Sequence, residues 1–158
     1  MQPLPVGVAQ PQAARPARRL GSGPRKLDET GSLVRLRVLI VEDHEDTREM
    51  FAWAMRAGGW LVYSVVSGSD VLDAAVAFEP DVIVLDLALP VLSGLDAMVQ
   101  LKDDPRTAHI AVVVCTAYGS PTARAQARLA GCADFVQKPI APDALRELLE
   151  RLPARRSP

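Results

Sequence analysis

The sequence predicts an α/β fold, a doubly wound five-stranded parallel sheet with helices on both faces. After residue 37, short apolar runs alternate five times with helical patterns. The runs at 38–41 and 82–85 are wholly aliphatic, which is typical of strands buried on both faces. Right-handed crossovers leave few topologies for such a chain, and we expect the strand order 2-1-3-4-5.

Local signals mark the elements in turn. A first helix starts near Asp46 and ends at Gly58, and Ser67 is suited to cap a second one that ends before Pro80. Pro121 after a serine opens the fourth helix. The apolar faces include Met50, Phe51, Ala54 and Met55 in the first helix and Leu145, Leu148, Leu149 and Leu152 in the last. We expect strands at 38–41, 60–66, 82–85, 110–115 and 133–137, with helices at about 46–57, 68–79, 95–101, 121–130 and 145–152.

Composition excludes several classes of protein. The chain has 158 residues, of which 49% are apolar, and a net charge of -1, so bulk charge gives no reason to expect nucleic-acid or membrane binding. No apolar run approaches the ~18 residues of a membrane helix, and prolines interrupt any signal peptide. Cys115 and Cys132 lack metal-site spacing. We expect a reduced, cytoplasmic protein.

The first 34 residues differ from the rest. Up to Arg37 the chain has seven Lys or Arg against two acids, whereas residues 38–158 carry a net charge of -6. The leading segment is rich in Pro and Gly and poor in large apolar residues, so we expect residues 1–34 to be a disordered extension that folding does not require. Residues 35–153 would form the domain, and residues 154–158 a short tail.

Polar residues follow the predicted strands at their carboxyl ends, where sheets of this kind bind ligands. Glu42 and Asp43 follow the first strand, Asp86 the third, Thr116 the fourth and Lys138 the fifth. Three carboxylates in one pocket require a compensating cation, and oxygen donors without His or Cys favour Mg²⁺. A carboxylate beside a metal ion, a lysine and a hydroxyl suits phosphoryl transfer to an aspartate.

Four motifs then resemble those of the receiver domain of two-component response regulators, which has a flavodoxin-like fold. They are residues 38–43, 86–94, 114–117 and 135–139. The resemblance covers about residues 37–152. Each motif alone is weak, but their order and their intervals are highly specific. The chain is similar to stand-alone receivers of the chemotaxis and sporulation types.

The resemblance implies a role for each matching residue. Asp86 would be the phosphoacceptor. Asp43, Asp86 and the backbone carbonyl of Ala88 would bind Mg²⁺ directly, with Glu42 acting mostly through water. Lys138 would pair with the phosphoryl group.

The remaining implied roles concern switching and turnover. Thr116 would hydrogen-bond the phosphoryl group, the rotamer of Phe135 would follow Thr116, and the Lys138–Pro139 bond would be cis. Ala88 and Tyr118 would flank the path of the hydrolytic water. Since neither holds a water well, we expect slow loss of the phosphoryl group.

The implied partners are a sensor histidine kinase or histidine phosphotransfer protein and a downstream protein. The downstream partner would bind the face of the fourth helix, fifth strand and fifth helix, which could also form a homodimer. We expect Arg124 and Arg128 on the outer side of the fourth helix, and Arg146 and Glu150 among the outward residues of the fifth.

Two other classes of protein share some of these features. A haloacid-dehalogenase-type phosphatase is disfavoured, because its nucleophile comes early in the chain and has an Asp two residues on, where this chain has Ala88. A phosphorylation-independent interaction module stays open as the alternative. We expect no direct DNA binding, because only about six residues follow the last helix, and no enzyme in the ordinary sense.

Overall fold

A computed structural model describes residues 23–152. Its strands are β1 Arg25–Leu27, β2 Leu33–Arg35, β3 Arg37–Val41, β4 Leu61–Val65, β5 Val82–Leu85, β6 Ala111–Thr116 and β7 Asp134–Gln137. Its α-helices are α1 Glu45–Ala57, α2 Val71–Phe78, α3 Gly94–Asp103, α4 Pro121–Leu129 and α5 Pro142–Arg151, and a 3₁₀ turn, Gly68–Asp70, precedes α2. The predicted tail at 154–158 lies outside the described residues.

Five strands form one parallel sheet in the order β4-β3-β5-β6-β7. This confirms the predicted fold class and the predicted order of the five strands. All four residues of β5 are buried, as are the last four of β3, because helices cover the sheet on both sides. The carboxyl ends of β3 and β5 therefore lie side by side.

The core has two halves that alternate along each strand. Leu39, Val41 and Leu85 pack with apolar residues of α2, α3 and α4 on one face of the sheet. Val38 and Ile40 pack with apolar residues of α1 and α5 on the other. Since a fully buried aliphatic side chain contributes about 1.5–3 kcal/mol, this two-sided burial makes the central strands the rigid part of the domain.

Serine caps begin two of the helices. Ser93 Oγ accepts a hydrogen bond from the Asp96 N–H at 3.2 Å, and Ser120 Oγ accepts one from the Ala123 N–H at 3.1 Å. Ser67, which was expected to cap the second helix, caps the 3₁₀ turn before α2 instead. Each cap satisfies an amide that the helix leaves unpaired.

Three helix side chains differ in their exposure from the prediction. Met50 was assigned to the buried face of the first helix but is 42% exposed. Arg146 is half-buried rather than outward, because its side chain packs against the backbone at Gly58. Arg124 is also half-buried, since its guanidinium lies over the ring of Phe135.

The extension was expected to be disordered, and for its described part this is wrong. β1 and β2 pair antiparallel. Lys26 forms an ion pair with Asp81, and the Leu36 N–H donates to the Pro24 carbonyl at 3.1 Å. Contacts distant in sequence thus stabilise a hairpin that local composition does not favour. Residues 1–22 lie outside the described residues.

Both cysteines have free thiols. Burial raises the pKa of the Cys115 thiol to about 12, so it stays protonated and unreactive. Burial also raises the pKa of the half-buried Cys132. Within residues 23–152, the helices are too short or too polar to cross a bilayer.

Val91 has a strained backbone. Its φ is 68°, and the Leu92 N–H donates across it to the Pro90 carbonyl at 2.8 Å, which is a γ-turn of the rare positive-φ kind. A β-branched residue is poorly suited to this conformation. Its side chain is 93% exposed, so packing does not offset the strain.

We predict that Val91→Asn raises the free energy of unfolding by about 1 kcal/mol, because Asn tolerates positive φ better than Val does. Urea unfolding followed by circular dichroism measures the change, and Val99→Asn, at another exposed valine, is the matched control. Equal or lower stability for Val91→Asn would contradict this account of the strain.

Candidate functional site

Three carboxylates meet at the carboxyl end of the sheet. Glu42 and Asp43 follow β3, Asp86 follows the adjacent strand β5, and a carboxylate oxygen from each lies within 4.8 Å of the other two. Glu42 is 3% exposed and Asp86 is 7% exposed, whereas Asp43 is open to solvent. The structure thus brings together the three acids that the sequence indicated.

Backbone contacts fix these acids in place. The Asp86 N–H donates to the Val41 carbonyl at 3.1 Å, which continues the pairing of β3 with β5 past the last residue of each. A Cβ on Gly94 would lie 2.0 Å from the Asp86 carbonyl oxygen. Only glycine therefore allows α3 to start so close behind the acid, and the loop of residues 87–93 folds back beside the site.

Lys138 joins two of the carboxylates. Its Nζ lies 3.2 Å from Asp86 Oδ2 and pairs with Glu42 Oε2. Burial alone would lower the pKa of Lys138, but the hydrogen bond that it donates to Glu42 and the charge of Asp86 raise the pKa overall. A raised pKa means that this stabilisation is complete below the ordinary lysine pKa of 10.5 and is lost only as the pH rises through the higher folded value.

The other predicted residues surround the same pocket. Thr116 ends β6 with its side chain buried, and its Oγ1 accepts the Tyr118 N–H at 3.2 Å. The Ala88 N–H donates to Asp86 Oδ1 at 3.1 Å. The Lys138 N–H donates to the Thr116 carbonyl at 2.9 Å, and the Lys138–Pro139 bond is cis, as the resemblance implied.

Phe135 and Tyr118 lie in different environments. Phe135 on β7 is 6% exposed, and it packs in the half of the core that contains Ala127 of α4. Tyr118 is 66% exposed, so its ring lies mainly in solvent rather than against the acids. The exposed Tyr118 ring therefore does not shield the acids from water.

Sequence reasoning missed Arg48. Its Nη1 donates to the carbonyls of Glu42 and Asp43, at 3.1 and 3.3 Å, from the first part of α1. The His44 N–H also donates to Glu42 Oε1 at 3.1 Å. These contacts hold the loop that carries two of the acids. An arginine early in a helix resembles any solvated arginine in sequence, so no local signal distinguishes it.

The cluster is chemically suited to bind a divalent cation beside a nucleophile. It offers carboxylate oxygens without nitrogen or sulfur, which favours a hard cation. Within residues 23–152, the Asp43 carboxylate accepts no hydrogen bond and remains available as a ligand. Asp86 pairs with the lysine and lies close to two further acids, an arrangement suited to transfer of a charged group.

Acids, a threonine and a lysine at the carboxyl ends of a five-stranded parallel sheet are the arrangement of a receiver domain, and the comparison with known families agrees. The model of the response regulator receiver domain matches residues 38–150. The chain therefore belongs to the response regulator receiver family.

Its curated relatives include the polar-differentiation response regulator DivK of Brucella ovis. That protein is 37% identical over 103 residues, which cover 65% of this chain and 84% of DivK. DivK of Brucella anthropi is 36% identical over the same length.

Solved structures agree on the fold. The chemotaxis response regulator CheY4 of Vibrio cholerae has a TM-score of 0.70 at 24% identity, covering 75% of this chain and 98% of that chain. A putative response regulator from Chloroflexus aurantiacus has a TM-score of 0.72 at 27% identity, covering 77% of this chain and 100% of that chain. The receiver domain of the sensor histidine kinase PA1611 from Pseudomonas aeruginosa has a TM-score of 0.69 at 25% identity, covering 75% of this chain and 97% of that chain. That structure has a magnesium ion coordinated in its active-site cleft.

We predict that Lys138→Met lowers the free energy of unfolding by about 1–3 kcal/mol, because it leaves Glu42 and Asp86 buried without their cation. Urea unfolding at neutral pH in the presence of EDTA measures the loss. Lys138→Arg keeps the charge and should lose less. If Lys138→Met were as stable as wild type, the ammonium would not be what compensates the two carboxylates.

Proposed function

We propose that this receiver accepts a phosphoryl group on Asp86 from a phosphohistidine donor, which is a sensor histidine kinase or a histidine phosphotransfer protein. The observation that carries the proposal is the position of the Asp86 carboxylate, 3.2 Å from Lys138 Nζ and within 4.8 Å of two further acids. An Asp86 oxygen forms the new bond to phosphorus. The bond from phosphorus to the donor imidazole breaks, and its electron pair stays on the nitrogen.

The neighbouring groups have distinct tasks in this step. Lys138 carries a positive charge at the oxygen that attacks and, after transfer, neutralises part of the phosphoryl charge. Thr116, at the end of the neighbouring strand, would donate its hydroxyl hydrogen to a phosphoryl oxygen. Glu42 holds Lys138 in position from its other side, so the lysine is oriented before the donor arrives.

The donor set fits Mg²⁺, the ion that the PA1611 receiver domain coordinates in its active-site cleft. Asp43, Asp86 and the backbone carbonyl of Ala88 would hold the ion, and Glu42 would reach it through water. When bound, Mg²⁺ neutralises the charge that gathers on the transferred phosphoryl oxygens. Arg48 would keep the carbonyls after β3 in place, so that the Asp43 ligand needs little rearrangement.

We further propose that the chain acts as a stand-alone receiver in the cytoplasm. The 84% coverage of DivK, which is itself named a response regulator, supports this. Phosphorylation would change the face formed by α4, β7 and α5, which we call the output face, and a downstream protein or a second copy would bind there. Domain limits of 35–153 suit this role, with the hairpin as an addition to the receiver.

We predict that incubation with Mg²⁺ and acetyl phosphate adds one phosphoryl group to the wild-type protein, because Asp86 lies among groups that stabilise the transferred charge. Intact-mass measurement detects the addition. Asp86→Asn should remain unmodified, while Asp96→Asn, at an exposed acid on α3, should behave as wild type. Absence of the addition, or equal addition to Asp86→Asn, would refute the proposal. Partner binding unaltered by Asp86→Asn would then favour the phosphorylation-independent interaction module.

We also predict that the phosphorylated form decays slowly. The side chain of Ala88 cannot hydrogen-bond the hydrolytic water, and Tyr118 points mainly to solvent, so neither orients that water for in-line attack. Ala88→Asn combined with Tyr118→Glu should accelerate decay. The rate is measured in Mg²⁺ after removal of the donor.

Val99→Asn with Leu129→Glu serves as the control, because it introduces the same two side chains at exposed positions of α3 and α4, outside the loops that carry Ala88 and Tyr118. If the phosphorylated form of the variant at 88 and 118 decays no faster than that of wild type, the prediction is contradicted.

A further inference from the structure

The helix α4 is weakly anchored to the sheet. It buries one residue, Ala127, whereas α1 and α3 each bury four. Its last residue, Leu129, is 89% exposed. A single alanine methyl buries little apolar surface, so the hydrophobic contact of α4 with the sheet is small.

A polar side chain provides a second contact. The guanidinium carbon of Arg124 lies 4.6 Å from the centre of the Phe135 ring, within the range of a cation–π interaction. Arg124 is half-buried and Phe135 is 6% exposed. The guanidinium thus covers a ring face that would otherwise meet water.

The size of this contact is comparable to the whole hydrophobic anchor of α4. A cation–π contact contributes more when it is desolvated than when it is exposed, and the apolar stem of the arginine adds packing. Across residues 23–152, no carboxylate lies within ion-pair distance of Arg124. The ring is therefore its principal partner in the described part of the chain.

The contact is also close to the candidate site. Phe135 lies on β7, three residues before Lys138, which follows that strand directly, and residue 137 pairs with Thr116. The segment of residues 117–120 leads directly from Thr116 into α4. A shift of Thr116 or of β7 would therefore act on both ends of the Arg124–Phe135 contact.

We propose that the stack of Arg124 on Phe135 is a latch that holds α4 on the sheet. A second part, which rests on the proposed function, is that the phosphorylation state of Asp86 reaches α4 through this latch. The latch joins one helix residue to one strand residue, so it is open to a double-mutant test.

Hydrogen exchange of the unmodified full-length protein tests the latch. Arg124→Gln should accelerate exchange of the α4 amides by about 2- to 30-fold, the factors that correspond to about 0.5–2 kcal/mol. Phe135→Leu should accelerate it as well, and the double variant should be no faster than Phe135→Leu alone. Arg124→Lys, which keeps the charge, should recover part of the protection.

Arg128→Gln is the matched control, because Arg128 lies one turn further along α4, is exposed and has no ring beneath it. It should leave α4 exchange as in wild type, and the α1 amides should not change in any variant. Unchanged α4 exchange in Arg124→Gln, or effects of Arg124→Gln and Phe135→Leu that simply add, would overturn the latch.

The second part is tested with Mg²⁺ and acetyl phosphate. Phosphorylation should change α4 exchange in wild type and should change it less in Arg124→Gln. If intact mass shows a phosphoryl group on Asp86 while both proteins respond equally, the latch does not transmit the signal. If no phosphoryl group is added, the proposed function fails. Hydrogen exchange of the unmodified variants still tests whether Arg124 on Phe135 holds α4 on the sheet.

Discussion

The Lys138 ammonium lies between the carboxylates of Glu42 and Asp86, and much of the domain is arranged so that this contact forms. Two buried carboxylates without a cation would disfavour each other's ionisation. The lysine comes from late in the sequence, directly after β7, and reaches the acids at the ends of β3 and β5. The chain must therefore complete the sheet through its last strand before the charges of the site are balanced.

The sheet satisfies this requirement through a simple division of residue types. Within β3 and β5 the side chains are apolar and buried, so the strands are fixed by packing on both faces. The first polar residue after each strand then lies at the same edge. The rigidity of the strands positions the acids, while Arg48 and the backbone amides of the loops adjust them.

Most of this could be predicted from the sequence, because strand ends and site acids depend on local pattern and on the rule for parallel sheets. Side chains whose position depends on a distant partner could not. Lys26 pairs with Asp81, which is 55 residues away in the sequence. Local composition around Lys26 is rich in Pro and Gly and gives no sign of this partner, so it predicted disorder. The position of Arg124 depends on the ring of Phe135, and that of Arg146 on the absence of a side chain at Gly58.

The uneven anchoring of the helices has a consequence for signalling. A helix that moves in response to a site has to be among the less stable elements, whereas the elements that hold the site have to be among the more stable. α1, which carries Arg48, buries four residues and is one of the more firmly packed elements. α4 buries one residue and depends on a single cation–ring contact. The same fold thus places firm packing beside the acids and weak packing under α4, which suits the response of this helix that we propose.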